Sequence, residues 1–280
     1  MTPSMIVSNG LAVYARGEGP VTLLMPYPHG FPLCPMIEHP LADLLVRLGR
    51  RVVTFDPPGA FASTRPARVD LAEMLSCTSE ALAVIGLDEA VDVVGHSMGG
   101  FCALAWTMKY PELVRSLSLI GAVSGGPSIR RNGGATLRLK WTDGDFWRFL
   151  FLGLRTAVGW GTMADHKRLQ GLLWKHSYVD ASFAPHNTIT PDDGQLPAPV
   201  RDRWARTAIR LDLSPGLPKI AVPTLLCAGR FDPQAPVGCS KEMAAAIPGA
   251  RLEIFERSGH YPYVEEPTRF ESALASFIVL

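Results

Sequence analysis

The chain has no long apolar run. Its longest, FWRFLFLGL (146–154), carries Arg148 and falls well short of the roughly 20 residues of a spanning helix. It has no excess of one charge: 27 Lys and Arg against 26 Asp and Glu leave +1. No overall field therefore recruits nucleic acid or an anionic membrane. Cysteine is sparse, and its five positions (34, 77, 102, 227, 239) contain no CxxC pair. That excludes a disulfide framework and a thiolate zinc site. His29, His39, His166, His176 and His186 lack the spacing of metal ligands, so neither a metal nor a cofactor is expected. The start, MTPSMIVSNG, has no basic stretch followed by an apolar one, and the expectation is a cytoplasmic protein without a signal peptide. There is no internal repeat.

What is present is 280 residues, 47% of them hydrophobic, enough for one large core. Short apolar strands alternate with helical patterns, which predicts a mainly parallel sheet covered by helices. MIVSNG and LAVYARGEG read as an opening hairpin. VTLLM, RVVTFD, VDVVGH and SLSLIG follow as strands, and VPTLLCAG and ARLEIFE resume the rhythm late. Helices are expected from Met36 to Leu48, after an Asp70 N-cap, from Ser97 to Tyr110, from Val237 to Ile247 and from Pro267 onward.

The stretch 126–215 breaks this alternation. It holds five of the six tryptophans and, in HNTITPDDGQLPAPV, a polar proline-rich run. It reads as a helical cap inserted between strands 6 and 7, with 1–125 and 216–280 forming the core. Its DFWRFLFLGL segment is apolar nearly all round and predicts a helix with apolar contacts on two sides. One would be the core; the other would be a second cap helix or an apolar substrate. The segment carries 13 Lys and Arg against 8 Asp and Glu, which solvated helix faces account for most simply.

The chemistry-bearing motif is Gly95-His96-Ser97-Met98-Gly99, with a strand before it and a helix after it. A G-x-S-x-G turn strains the serine backbone and exposes its hydroxyl, and the glycines let strand and helix approach. His96 reads as structural, because neighbouring strand residues point to opposite faces.

On this motif, in this strand order, the chain resembles the α/β-hydrolase family over nearly its whole length. The resemblance implies an eight-stranded, mainly parallel sheet flanked by helices, and a Ser, acid, His triad in chain order. Asp232, in RFDPQAP after one late strand, and His260, in RSGHYPYVEEP after the next, stand where the family carries its acid and base. The alternative acid position, after LIGAVSGGPS, has no carboxylate. The family's oxyanion donors would be the Met98 N–H and one from the loop after the third strand. By motif, His29-Gly30-Phe31 makes that donor Phe31; counted from the strand end, past the inserted Pro26-Tyr27-Pro28, it is Tyr27. The DPPGAFASTRP turn resembles the family's Asp-x-x-Gly turn, with Asp56 bonding backbone groups. Tyr27, Phe146, Trp147 and Tyr261 are the candidate pocket residues.

The implied activity is acyl transfer by a serine hydrolase on an ester, lactone or related carbonyl compound with an apolar part. The partner is a small molecule, with no nucleic acid or membrane, and the protein is a monomer or homodimer. Three readings share the triad: a small-molecule receptor with slow or no turnover, a cofactor-free perhydrolase or haloperoxidase, and a C–C bond hydrolase.

Overall fold

A computed structural model describes residues 2–28, 34–68, 70–133, 139–183, 203, 204, 207 and 210–278. The strands are β1 (Ser4–Ser8), β2 (Leu11–Arg16), β3 (Val21–Met25), β4 (Arg51–Phe55), β5 (Val91–His96), β6 (Val114–Ile120), β7 (Thr224–Gly229) and β8 (Arg251–Phe255). They form one eight-stranded sheet in the order β1-β2-β4-β3-β5-β6-β7-β8. β1 and β2 pair antiparallel, as do β2 and β4; every other pairing is parallel.

Strands β5 and β7 are buried along their whole length. Helices cover both faces of a parallel sheet, so such strands read as continuous apolar runs. Alternate residues still divide between the faces. Leu23, Met25, Val93, Leu117, Leu119 and Leu226 join one cluster; Leu24, Val94, Ile120, Leu225 and Cys227 join the other. The first cluster is closed by α2 (Leu71–Val84), α3 (Ser97–Lys109) and α7 (Val237–Ala246), with Trp106 and Phe101 at its centre. The second is closed by α1 (Pro40–Arg47) and α9 (Pro267–Ile278), through Leu41, Leu44, Phe270 and Leu274.

The Asp70 N-cap of α2 is present, accepting from the Ala72 N–H at 2.9 Å. The helix predicted from Met36 to Leu48 is instead divided. A 3₁₀ turn covers Met36–Glu38, and α1 begins at Pro40 behind an extended His39 (φ −71°, ψ 146°). The cause is local: Pro40 lacks an N–H and forces its predecessor out of helical geometry.

The end of the sheet away from the strand C-termini carries a buried charge cluster. Asp92 on β5 accepts from Arg50, from Ser116 Oγ at 2.7 Å and from Arg115 Nε at 3.0 Å. Arg50 also donates to Thr22 Oγ1 at 2.9 Å and to the Ile278 carbonyl at 3.2 Å. The cluster ties β3, β5, β6 and the end of α9 together. In the turn after β4, Asp56 Oδ2 accepts from Tyr14 Oη at 2.7 Å and from the Ala62 N–H at 3.0 Å. Burial pushes the Asp56 carboxyl up to about 6.

Between β6 and β7 lie α4 (Gly126–Arg131), α5 (Gly144–Ala157) and α6 (Met163–Ser177). Glu242 on α7 holds α4 through Ser128 Oγ (2.7 Å) and Arg131 Nε (3.0 Å). Asp145 on α5 pairs with Lys175 (2.8 Å) and His176 (3.0 Å) on α6, which lowers its carboxyl to about 2. α5 departs from the two-sided packing expected of it. Leu152 is its one buried residue, while Trp147, Leu150, Phe151 and Leu154 are each at least half exposed. Among the described residues α6 is its main partner, and these four side chains face outward. No helix among the described residues is long and apolar enough to cross a membrane.

Candidate active site

Ser97 follows directly from β5 and opens α3. Its backbone lies at φ +51°, a left-handed conformation that costs a non-glycine residue about 1–2 kcal/mol. Close packing holds it there. A Cβ on Gly95 would lie 2.7 Å from Gly100 Cα, and one on Gly99 would lie 2.6 Å from the Met25 carbonyl oxygen. Larger residues at either position would push the strand and helix apart. Met98 sits in the first turn of α3, where backbone N–H groups have no acceptor within the helix and the helix dipole favours negative charge.

Asp232 lies three residues beyond β7, and His260 five beyond β8. Asp232 Oδ2 is 2.7 Å from His260 Nδ1. Asp232 Oδ1 accepts the N–H groups of Gln234 (2.8 Å) and Ala235 (2.9 Å), so the turn RFDPQAP sets the carboxylate's orientation. A carboxylate facing Nδ1 places the ring proton there and leaves the lone pair on Nε2. Both residues are buried.

The His260 ring reaches across the end of β6 toward β5, coming within 4.6 Å of the His96 ring, centroid to centroid. Gly121 makes this crossing possible. It sits at φ +50°, and a Cβ there would stand 3.1 Å from His260 Nδ1 and 3.2 Å from Asp232 Oδ2. The structure thus brings Asp232 and His260 into contact and carries the ring to the residue before Ser97.

Several residues at this centre carry no signal in the sequence. The His260 N–H donates to the Ser177 carbonyl at the end of α6, at 2.7 Å. Glu265, in the short helix α8 (Pro262–Glu265), accepts the Gly259 N–H and the Val179 N–H, both at 2.6 Å. Gln234 Nε2 donates to Ser177 Oγ at 2.6 Å. Tyr178 stacks on Tyr261 at 4.6 Å and 19°. The end of α6 is therefore part of the site.

The other candidates fall as follows. Tyr27 is 7% exposed, with its hydroxyl on His96 Nδ1. Tyr261 packs edge-on against His260 at 5.1 Å. Phe146 and Trp147 pair with each other at 5.2 Å, Trp147 is 57% exposed, and among the described residues neither is brought against the Asp232–His260 pair. Phe31 lies outside the described residues.

Known proteins resemble this chain in sequence and in fold. A 2-hydroxy-6-oxononadienedioate/2-hydroxy-6-oxononatrienedioate hydrolase of Paraburkholderia phymatum is 27% identical over 248 residues, covering 84% of this chain and 79% of its own. An alpha/beta fold family hydrolase from Bacillus anthracis superposes with a TM-score of 0.75 at 18% identity over 99% of both chains. An esterase from Exiguobacterium antarcticum does so with 0.71 at 23% identity over the full length of both. The family described as alpha/beta hydrolase fold matches residues 27–267, and the chain belongs to it.

Proposed function

We propose that this hydrolase works by acyl transfer, with Ser97 as nucleophile, His260 as general base and Asp232 as the group that orients and stabilises the imidazole. The observation that carries this is the 2.7 Å Asp232–His260 bond beside a serine held at φ +51°. Strained exposure and an oriented base are what a weak hydroxyl nucleophile needs. Ser97 Oγ attacks the substrate carbonyl as His260 Nε2 takes its proton. The oxyanion is held by the Met98 N–H and a second donor, from Phe31 or Tyr27, at the positive end of α3. His260 returns the proton to the leaving group, and water then attacks the acyl-enzyme. Residues 126–215 act as the cap over this centre, and the Tyr178–Tyr261 stack is its nearest aromatic wall.

A fluorophosphonate tests this reading. Ser97 should take the label in the wild type, and Ser97→Ala should lose both label and turnover. Modification of another residue, or turnover surviving in Ser97→Ala, would overturn it.

A second reading concerns the bond broken. The substrate named for the Paraburkholderia relative is a keto dienedioate, which contains no ester link, so its hydrolysis cleaves a C–C bond. The same serine chemistry accommodates this when the leaving group is a stabilised carbanion protonated on carbon. Rates on p-nitrophenyl acetate and on a 2-hydroxy-6-oxo-dienoate separate the two: a kcat/KM higher on the dienoate assigns C–C cleavage. No turnover of either, with Ser97 still labelled, would point to a receptor. Peroxide-dependent halide oxidation would point to a perhydrolase.

A further inference from the structure

His96 is buried between two partners. Its Nδ1 meets the Tyr27 hydroxyl, and its Nε2 lies 2.9 Å from the backbone carbonyl of His260. A carbonyl can only accept, so Nε2 carries the proton. Nδ1 then carries the lone pair and the Tyr27 hydroxyl donates to it. Tyr263 packs edge-on against the His96 ring, 5.3 Å between centroids. The Tyr263 hydroxyl stands 3.5 Å from His39 Nε2, and His39 Nδ1 accepts the Leu41 N–H at 3.2 Å. That leaves the His39 proton on Nε2, pointing at Tyr263. The donors at His96 therefore face one way, from Tyr27 through His96 to the His260 carbonyl. Chains aligned in this manner polarise one another.

We propose that His96 is a positioning residue for the base: it holds the His260 backbone from the elbow side, and Tyr27 and Tyr263 hold His96. The inference rests on His260 acting as the base. An apolar residue on β5 would fill this space without the desolvation cost of a buried imidazole. What the imidazole adds is a grip on the His260 carbonyl, while the Ser177 carbonyl grips the His260 N–H at 2.7 Å. The peptide groups on both sides of the base are thus fixed by separate parts of the molecule. Burial also keeps His96 well below the ordinary histidine range. It stays neutral, so it does not repel the imidazolium that forms 4.6 Å away.

The experiment uses three variants of the full chain. His96→Leu fills the space without hydrogen bonds. His96→Gln can donate to His260 and accept from Tyr27. Tyr27→Phe keeps the ring and removes the donor to Nδ1. Each is measured for Tm, for the fraction of sites labelled by excess fluorophosphonate, for the labelling rate, and for kcat and KM on p-nitrophenyl acetate per labelled site. His96→Leu should lose about 10²-fold in labelling rate and kcat per labelled site, the scale of a roughly 1 Å misplacement, with KM within about threefold. His96→Gln should recover about tenfold of that loss, and Tyr27→Phe should fall between it and the wild type. Equal rates per labelled site in the wild type, His96→Leu and His96→Gln overturn the proposal, whatever their melting temperatures. If His96→Leu does not fold, Tyr27→Phe decides, and an unchanged rate per labelled site overturns it. A wild type not labelled at Ser97 overturns the serine mechanism and this inference together. A labelled wild type with insensitive variants overturns the inference alone.

Discussion

Glycine at position 97 should make the protein more stable than alanine does, the reverse of the usual order. Ser97 sits at φ +51°, where a residue with a Cβ pays about 1–2 kcal/mol and glycine pays nothing for the conformation. Against this, glycine loses roughly 0.5–1 kcal/mol more chain entropy on folding than alanine. The difference favours Ser97→Gly over Ser97→Ala by about 0.5–1 kcal/mol. For a 280-residue chain, unfolding entropy of about 2 cal/mol/K per residue makes this a Tm difference of about 1–2 °C. Ala245, exposed on α7, is the control, and Ala245→Gly should cost about 1 kcal/mol. Calorimetry on the three variants reads the sign directly. Both Ser97 variants should also lose hydrolysis on the order of 10⁶-fold and take no fluorophosphonate. If Ser97→Ala melts at or above Ser97→Gly, the elbow stores no strain and the argument for a serine forced outward fails.

Four further outcomes are expected. Asp232→Asn should keep its melting temperature and lose about 10⁴-fold in kcat, because the imidazole takes the other tautomer; a loss below tenfold would refute this. Asp92→Ala should destabilise by about 3–5 kcal/mol, since Arg50 is left buried without its counter-charge, while the fluorophosphonate labelling rate of folded protein stays unchanged. Asp56 should make the wild type less stable as pH rises from about 4 to about 6. Its carboxyl is raised from 3.8 to about 6, so the native state holds the extra proton there and loses about 3 kcal/mol across that window; denaturation of Asp56→Asn against pH should show that slope removed. On α5, Leu152→Ala should cost about 2–5 kcal/mol and Phe151→Ser within about 0.5 kcal/mol, as measured by urea midpoints; equal losses would mean that the outward face is covered.

The sheet was legible because its strands are buried on both faces and so announce themselves as apolar runs separated by turns. Asp92 is the exception within such a run, and only the fold explains it, by bringing Arg50 from β4's approach and Arg115 from β6 to its side. Ser97, Asp232 and His260 were legible in order because each follows a strand that the pattern already marks. The residues around them were not. The His96–His260 bond spans 164 positions and the Val179–Glu265 bond spans 86. Both end on backbone groups, which leave no trace in residue type. α5 departs from its sequence pattern for a different reason: apolar character all round a helix measures what it could bury, and says nothing of how many partners arrive. The split before α1 was legible in principle, from Pro40 alone.

The bonds at the end of α6 bear on how the proposed cap and the proposed base can act. Ser177 is the last residue of α6, and a helix leaves its last carbonyls without internal partners. One of those carbonyls is satisfied by the His260 N–H, and Glu265 joins the stretch after α6, at Val179, to Gly259. Breaking the bond to the buried His260 N–H would leave that donor unpaired, at a cost of about 1–3 kcal/mol. The end of α6 and the loop carrying His260 therefore shift together or not at all. With His260 as the proposed base, a substrate that displaces α6 displaces the base with it, so the fit of the proposed cap to a substrate enters the chemical step as well as binding. Substitutions in α6 that leave Ser97, Asp232 and His260 untouched should then alter kcat and KM together, as expected when a moving element completes the catalytic group. A cap that merely sieved substrates would alter KM alone.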